Sequence, residues 1–252
     1  MPHGNLLLID NSNSFTKLAL ASATKILRTR RLPTPEVTVR SIREILRGWR
    51  FEGAVLSSVA PEKGELIEKA LGQLPRVRVS ASVKLGVGID YPKPQTIGAD
   101  RLANAAAASV FFGAPVVVVD FGTAVSFDII ARGKVYVGGV IAPGLEAMTD
   151  YLHQRTALLP KITLLEPPSA IGKSTRHAML AGAVYGYRGL IREILGEIRR
   201  ELGARRLRVV ATGGYAELIG AKLPEIESIH PNLTLEGLRI IGNLNARAIK
   251  PP

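Results

Sequence analysis

VVVVDFGTAVSFDII, residues 116–130, sets four valines against a carboxylate, Asp120, then turns on Gly122-Thr123 and runs back through apolar residues to a second acid, Asp128. Valine-rich runs of this length read as buried strands, and the small-residue turn makes them a hairpin. Placing a carboxylate at the mouth of so apolar a run costs free energy unless something compensates it. The plan occurs twice. LLLIDNSNSFTKLAL, residues 6–20, repeats it with Asp10 and the turn Asn11–Phe15. A strand that ends in Asp and turns on small residues points backbone N–H groups into open space, a nest that suits phosphate oxygens. The carboxylate beside it can hold a metal ion that offsets phosphate charge. Asp, Asn, Ser and Gly after a strand are also ordinary turn formers. Two copies, each followed by a long α/β stretch, favour a duplication whose hairpins grip one nucleotide's phosphates across a cleft.

Around these hairpins strands and helices alternate, which gives an α/β class. Lys17–Ser22 returns from the first turn, a helix covers Val39–Trp49, Gly53–Ser57 is a short buried strand, and a helix lies around Glu65–Gly72. Val77–Ser80 is a further candidate strand. GVGIDYPKPQTIGAD (86–100) is Gly- and Pro-rich and reads as a loop. The alanine-rich helix Arg101–Phe112 stops at Gly113 before Pro115, which puts a boundary between domains 1–114 and 115–252. In the second half Ser126–Ala131 closes the hairpin and Lys134–Ile141 adds a strand. Helices are expected over Leu145–Arg155, Thr175–Gly186 and Tyr187–Leu202. Leu207–Ala211 reads as a strand running into Thr212-Gly213-Gly214, and Leu235–Ile241 as a last strand.

With 252 residues, 46% of them hydrophobic, the chain can build a sizeable core. Its net charge of +12, from 33 basic and 21 acidic residues, could attract anions. The basic residues sit mainly in amphipathic stretches such as Ser41–Arg50 and Leu190–Arg208, and one tryptophan offers little base stacking. A solvated helix face accounts for them, and no nucleic-acid partner is expected. No apolar stretch approaches the ~20 residues of a membrane helix, and the opening MPHGNLLLIDNS reaches Asp10 too soon for a signal-peptide core. The absence of cysteine excludes disulfides and thiolate chemistry. A cytoplasmic protein without a membrane partner is the expectation. His3, His153, His177 and His230 are too scattered for a metal site or a triad.

Further segments fall in a particular order. They are Asp10-Asn11-Ser12-Asn13-Ser14, Tyr91 with Pro92 and Pro94, Gly98-Ala99-Asp100-Arg101 with Asn104, and Asp120-Phe121-Gly122-Thr123-Ala124. Gly138 to Gly144 (GGVIAPG), Gly172-Lys173-Ser174-Thr175, Thr212-Gly213-Gly214 and Leu235-Glu236-Gly237-Leu238 follow. In these segments, nearly end to end, the chain resembles the type III pantothenate kinases of the sugar kinase, Hsp70 and actin superfamily. The resemblance implies a two-domain actin-like ATPase (ribonuclease H-like) fold with the active site in an interdomain cleft. It implies transfer of the γ-phosphoryl of ATP, with Mg²⁺, to pantothenate, the first step of coenzyme A synthesis, by a homodimer. Asp100 would be the catalytic base that accepts the proton of the attacking hydroxyl; its residue type and place equally fit a helix cap.

The same resemblance assigns Asp10, Asn11, Ser12, Asn13, Ser14, Phe15, Thr16 and Lys17, with Thr123, to ATP. It assigns Tyr91, Gly98, Ala99, Asp100 and Arg101 to pantothenate, joined by Thr175 across the dimer interface, and gives Asp120 the monovalent cation, potassium or ammonium. Asp128 has no firm assignment, a turn or cleft-edge carboxylate fitting as well as a metal contact. GKST at 172–175 looks like a P-loop, but that motif needs a glycine where Pro167 stands. The match departs at Ser12, where the family usually has glycine. If the turn needs a positive φ there, serine costs about 1 kcal/mol. Tyr215 stands where an acidic or small polar residue is usual. Two other functions fit the same motifs: a non-catalytic accessory protein that keeps the fold, and a kinase of another small alcohol.

Overall fold

A computed structural model describes residues 4–249; His3 lies outside them. In chain order the first stretch forms β1 (Leu6–Asn11), β2 (Phe15–Ala21), β3 (Ile26–Pro33), α1 (Val39–Ile45), β4 (Gly53–Ser58) and α2 (Pro61–Leu71). It continues with β5 (Arg76–Arg78), β6 (Gly88–Ile89) and α3 (Ala99–Phe111). The middle forms β7 (Val116–Phe121), β8 (Ala124–Ala131), β9 (Val135–Pro143), α4 (Leu145–Arg155), α5 (Thr175–Glu201), β10 (Arg208–Gly213) and β11 (Ser228–Ile229). The end forms α6 (Leu233–Leu244) and α7 (Ala246–Ile249).

The backbone divides into two compact units. Among the described residues one comprises 4–113, 134–137 and 232–249, the other 114–133 and 138–231. A simple division at 114/115 is therefore incomplete, because the C-terminal helices belong with the first unit. There the sheet runs β3-β2-β1-β4-β5. β1 is antiparallel to β2 and parallel to β4. Leu7, Ile9, Leu18 and Leu56 face a core completed by Ile42 of α1 and Ile67 of α2. On the opposite face α6 lies so close that a Cβ on Gly242 would come within 2.7 Å of Leu6 and 2.8 Å of Val55. Cover on both faces is why β1 is an unbroken apolar run rather than an alternating one.

The second unit repeats the plan. Its strands run β9-β8-β7-β10-β11, again with an antiparallel hairpin at the centre and a parallel neighbour, β10, on the other side. Val117, Val119 and Phe121 face α5 and Leu145 of α4 in one core. The first residues of β9 belong to the first unit, where they pair with β6. The recurrence of one strand order in both units makes the duplicated hairpin part of a duplicated domain.

The structure differs from the sequence expectations at several places. Leu235–Ile241 is helical, within α6, not a strand; a short apolar run does not separate the two by periodicity alone. α5 is continuous over 27 residues, because its buried stripe (Met179, Val184, Tyr187, Ile191, Leu195, Ile198) never breaks. The 86–100 loop contains the short strand β6. β3 was not foreseen, since ILRTRRLP is mostly exposed; it is an edge strand whose arginines discourage further pairing.

Candidate active site

The first hairpin turns without backbone strain. Among the described residues Lys134 is the one non-glycine with a positive φ, so Ser12 avoids the left-handed region and the anticipated cost does not arise. Its amide donates to Phe15 O (3.2 Å), and its hydroxyl donates to Asp10 Oδ1 (3.0 Å). Asn11 is fully buried and works inward. Its Nδ2 donates to Ser58 Oγ (2.7 Å) and Ala60 O (3.0 Å), while its Oδ1 accepts from Thr16 Oγ1 (2.9 Å). Thr16 also meets Thr34, whose hydroxyl donates to Ser12 O (2.6 Å). The side chains of Asn11 and Thr16 thus hold the turn, leaving exposed Asn13, Ser14 and Phe15 to face a ligand; the Arg31 guanidinium lies 4.4 Å over the Phe15 ring.

Strand register sets what surrounds Asp10. It pairs with Lys17 on β2 and Ser57 on β4, and Lys17 pairs with Arg31 on β3. Directly opposed residues share a face. A row Arg31–Lys17–Asp10–Ser57 therefore crosses the sheet near the C-terminal end of β1. Two cations, a carboxylate and a hydroxyl in a line suit a polyphosphate and its divalent cation.

Asp100 lies in the first turn of α3. Gly98 holds the N-cap position without a side-chain cap, and Asp100 stands two residues on, inside the first turn. A Cβ on Gly98 would come within 2.6 Å of Asp100 Oδ1, so the glycine makes room for the carboxylate. Oδ1 accepts from the Arg101 amide at 2.8 Å. Burial raises the Asp100 carboxyl above its ordinary value, against the lowering effect of the Arg101 amide and guanidinium. A carboxylate whose proton affinity is raised in this way is a better proton acceptor. Asn104, one turn on, accepts from Thr234 Oγ1 (2.9 Å) and ties α3 to α6.

Tyr91 and Arg101 meet through a residue the sequence reading missed. Tyr136, on β9 and fully buried, stands edge-on to Tyr91 at 6.4 Å and beneath the Arg101 guanidinium at 5.8 Å. Pairing of β6 with β9 places it: Ile89 is in register with Tyr136, and Asp90 N donates to Tyr136 O at 2.9 Å.

In the second unit Asp120 pairs with Ser126 on β8 and Thr212 on β10. Gly122 and Thr123 are exposed on the turn. Gly144 backs against that turn, where a Cβ would lie 2.2 Å from Thr123 O. Gly213 has φ +94° and its Cβ position is 2.6 Å from Asp120 Oδ1. The glycines thus let three backbone segments close on Asp120. Tyr215 donates its hydroxyl to Glu146 of α4, an accommodation that a smaller residue would not need. Asp128 is fully buried in register with Val118. At the start of α5, Ser174 is the N-cap and accepts from His177 N (3.3 Å), leaving the exposed Thr175 hydroxyl available for another task.

The family model for type III pantothenate kinases matches residues 6–197. A type III pantothenate kinase of Akkermansia muciniphila is 52% identical over 240 residues, covering 95% of this chain and 98% of the relative. This chain belongs to the type III pantothenate kinase family. Solved structures agree on the fold, at identities too low to say more. A putative Baf family transcriptional activator from Campylobacter jejuni superposes with a TM-score of 0.61 at 19% identity, covering 96% of this chain and 99% of that one. Component A of (R)-2-hydroxyglutaryl-CoA dehydratase from Acidaminococcus fermentans reaches 0.57 at 14%, covering 98% and 99%. The fold is that of the actin-like ATPases and sugar kinases, and here one strand order recurs in both units.

As a kinase the chain requires ATP and a divalent metal. The residues present fit a cation carried largely by phosphate. Among the described residues no group of three or more His, Asp or Glu could hold a metal alone. Mg²⁺ normally takes one or two protein carboxylates plus phosphate oxygens and water. Asp10, beside Lys17 and Ser57, offers that donor set.

Proposed function

We propose that this chain phosphorylates the primary hydroxyl of pantothenate from MgATP, the activity for which its family is named. The observation that carries the reading is the row Arg31–Lys17–Asp10–Ser57, joined in the same unit by the raised Asp100 carboxyl. Lys17 and the exposed turn Asn13–Phe15 would take triphosphate oxygens, and Asp10 would face the divalent cation. Bound to the phosphates, Mg²⁺ would neutralise charge developing on the transferred group. Asp100 would accept the hydroxyl proton, and Arg101 would receive the pantothenate carboxylate, its guanidinium steadied over Tyr136 with Tyr91 alongside. Asp120, with Ser126 and Thr212, would hold a monovalent cation, and Thr123 would contact phosphate.

A homodimer is part of the reading. α4 and α5 enclose an apolar groove of about 750 Å³ lined by Pro143, Ala147, Met148, Leu152, Met179 and Ala183. Leu158 and Ile171, in the segment between α4 and α5, are 89% and 79% exposed, surface that a second copy would cover in bringing Thr175 to its neighbour. Among the described residues no helix is long and apolar enough to cross a membrane, and with ATP as substrate we place the enzyme in the cytoplasm.

A coupled assay with purified chain, MgATP and pantothenate, with and without potassium, tests this. Potassium-dependent 4′-phosphopantothenate formation is the expected result. Ligand binding without turnover would make the chain an accessory protein, and turnover only with other alcohols would replace the acceptor.

A further inference from the structure

Ser57 ends the row beside Asp10, on β4. It is 1% exposed, and among the described residues its Oγ finds no hydrogen-bond partner. Leaving a hydroxyl buried and unbonded is unfavourable, and such groups are few in native proteins. Its neighbour Ser58 is fully engaged, accepting from Asn11 Nδ2 and donating to Ala60 O (3.3 Å). Ser57 sits in register with Asp10, on the same face of two parallel strands, and neighbouring strands lie about 4.8 Å apart. Ser12 holds Asp10 Oδ1 from the opposite, turn side. The second unit sets a hydroxyl at the matching place, since Thr212 pairs with Asp120 across β10 and β7.

We propose that Ser57 is a positioning residue of the triphosphate site: in the nucleotide-bound enzyme its hydroxyl donates to the Asp10 carboxylate, fixing the orientation that receives the phosphate-borne divalent cation. This rests on the reading of Asp10 given above. Binding draws the carboxylate toward the cation, and a donor on its flank, bonded to nothing else, completes its hydrogen bonds in that position. A hydrogen bond to an ionised group is among the stronger kind. A second buried and unbonded hydroxyl, Ser109 Oγ near the far end of α3, provides the control, being nine residues or about 14 Å along the helix from Asp100.

The test compares Ser57→Ala and Ser109→Ala with the wild type. Removing an unbonded buried hydroxyl should leave both variants as stable as the wild type or more so. Ser57→Ala alone should raise KM for MgATP about tenfold, the size of a charge-assisted hydrogen bond read as binding, with KM for pantothenate within about twofold. In parallel, the rise in melting temperature caused by MgADP should shrink in Ser57→Ala, while the smaller rise with ADP and a chelator stays put. Unchanged KM and an unchanged MgADP shift in Ser57→Ala would overturn the proposal, as would equal effects in Ser109→Ala. A wild type that gains stability from MgADP but leaves pantothenate untouched would refute the acceptor reading alone, and loss of that gain in Ser57→Ala would still support Ser57. A wild type indifferent to MgADP overturns both.

Discussion

Replacing Gly213 by alanine strikes the second hairpin at its tightest point. The new Cβ would lie 2.6 Å from Asp120 Oδ1 and 2.6 Å from the Phe121 backbone N and C, and the residue has φ +94°. The backbone conformation alone costs an L-residue about 1–2 kcal/mol. Overlap with backbone atoms, which cannot swing aside as a long side chain can, adds about 1–3 kcal/mol. A loss of roughly 2–5 kcal/mol lowers the melting temperature by about 4–20 °C for a protein of this size. Gly214→Ala is the matched control, because its Cβ would meet nothing within 4 Å. Urea midpoints and thermal melts of the two variants give the comparison directly. Asp120 should also be pushed aside in Gly213→Ala, so if Asp120 holds potassium as proposed, the potassium concentration giving half-maximal activity should rise. If Gly213→Ala melts with the wild type, the close packing of β10 on the Asp120 turn is wrong.

Other perturbations probe the rest of the molecule. Asp100→Asn should cut kcat by about 10²–10⁴ as a lost general base. The raised carboxyl means wild-type stability declines as pH climbs through the folded value, so the variant should melt higher at pH 7, and the gain should vanish below the unfolded value near 4. Gly237→Ala places a Cβ 1.9 Å from Ala103 O and should cost about 3 kcal/mol by forcing α6 off α3, read as a fall in urea midpoint. Arg188, 6% exposed, forks to Glu166 Oε1 (3.0 Å) and Oε2 (2.6 Å) and donates to Leu218 O (2.7 Å). Arg188→Lys cannot serve all three and should lose about 1–2 kcal/mol, measured the same way, with the half-exposed Glu166 limiting the effect.

The hairpins were legible because their signal is local: apolar run, acid, small residues, apolar run, all within fifteen positions. Asp100 was legible as one residue of a motif, but the raised proton affinity of its carboxyl comes from its surroundings in the fold, which no linear pattern displays. Tyr136 was invisible for a related reason. Nothing in KVYVGG marks a tyrosine that will underlie Arg101, 35 positions earlier; the pairing of β6 with β9 decides it. Ser57 looked like the plain end of a buried strand until the β1–β4 register set it beside Asp10. Ser12 shows the opposite error. Glycine at a turn invites the inference of a special φ, yet this turn closes at ordinary angles and the serine hydroxyl is occupied by Asp10. The C-terminal helix was misread because Leu, Ile and Gly at close spacing satisfy strand and helix alike, and contact with β1 and β4 settled the matter.

Duplication explains why there are two acidic hairpins, and register explains why they need not do the same thing. Asp10 is 3% exposed and has a lysine directly across the strand pair. A nearby ammonium offsets part of the carboxylate's pull on a second cation, so a metal there is best held when phosphate oxygens bring their own negative charge. Asp120 has serine and threonine at the matching positions, more solvent, and glycine backbone closing on it. Neutral oxygen donors around one carboxylate suit a singly charged ion better than a doubly charged one, because fewer charges are neutralised on binding. Exchanging the neighbours tests that division. Lys17→Ser should weaken triphosphate binding and flatten the dependence of KM for ATP on ionic strength. Ser126→Lys should leave KM for ATP nearly unchanged and abolish the proposed dependence on potassium, the tethered ammonium taking the place of the ion. Loss of activity in Ser126→Lys that added potassium restores would show that the two acids do not divide the work in this way.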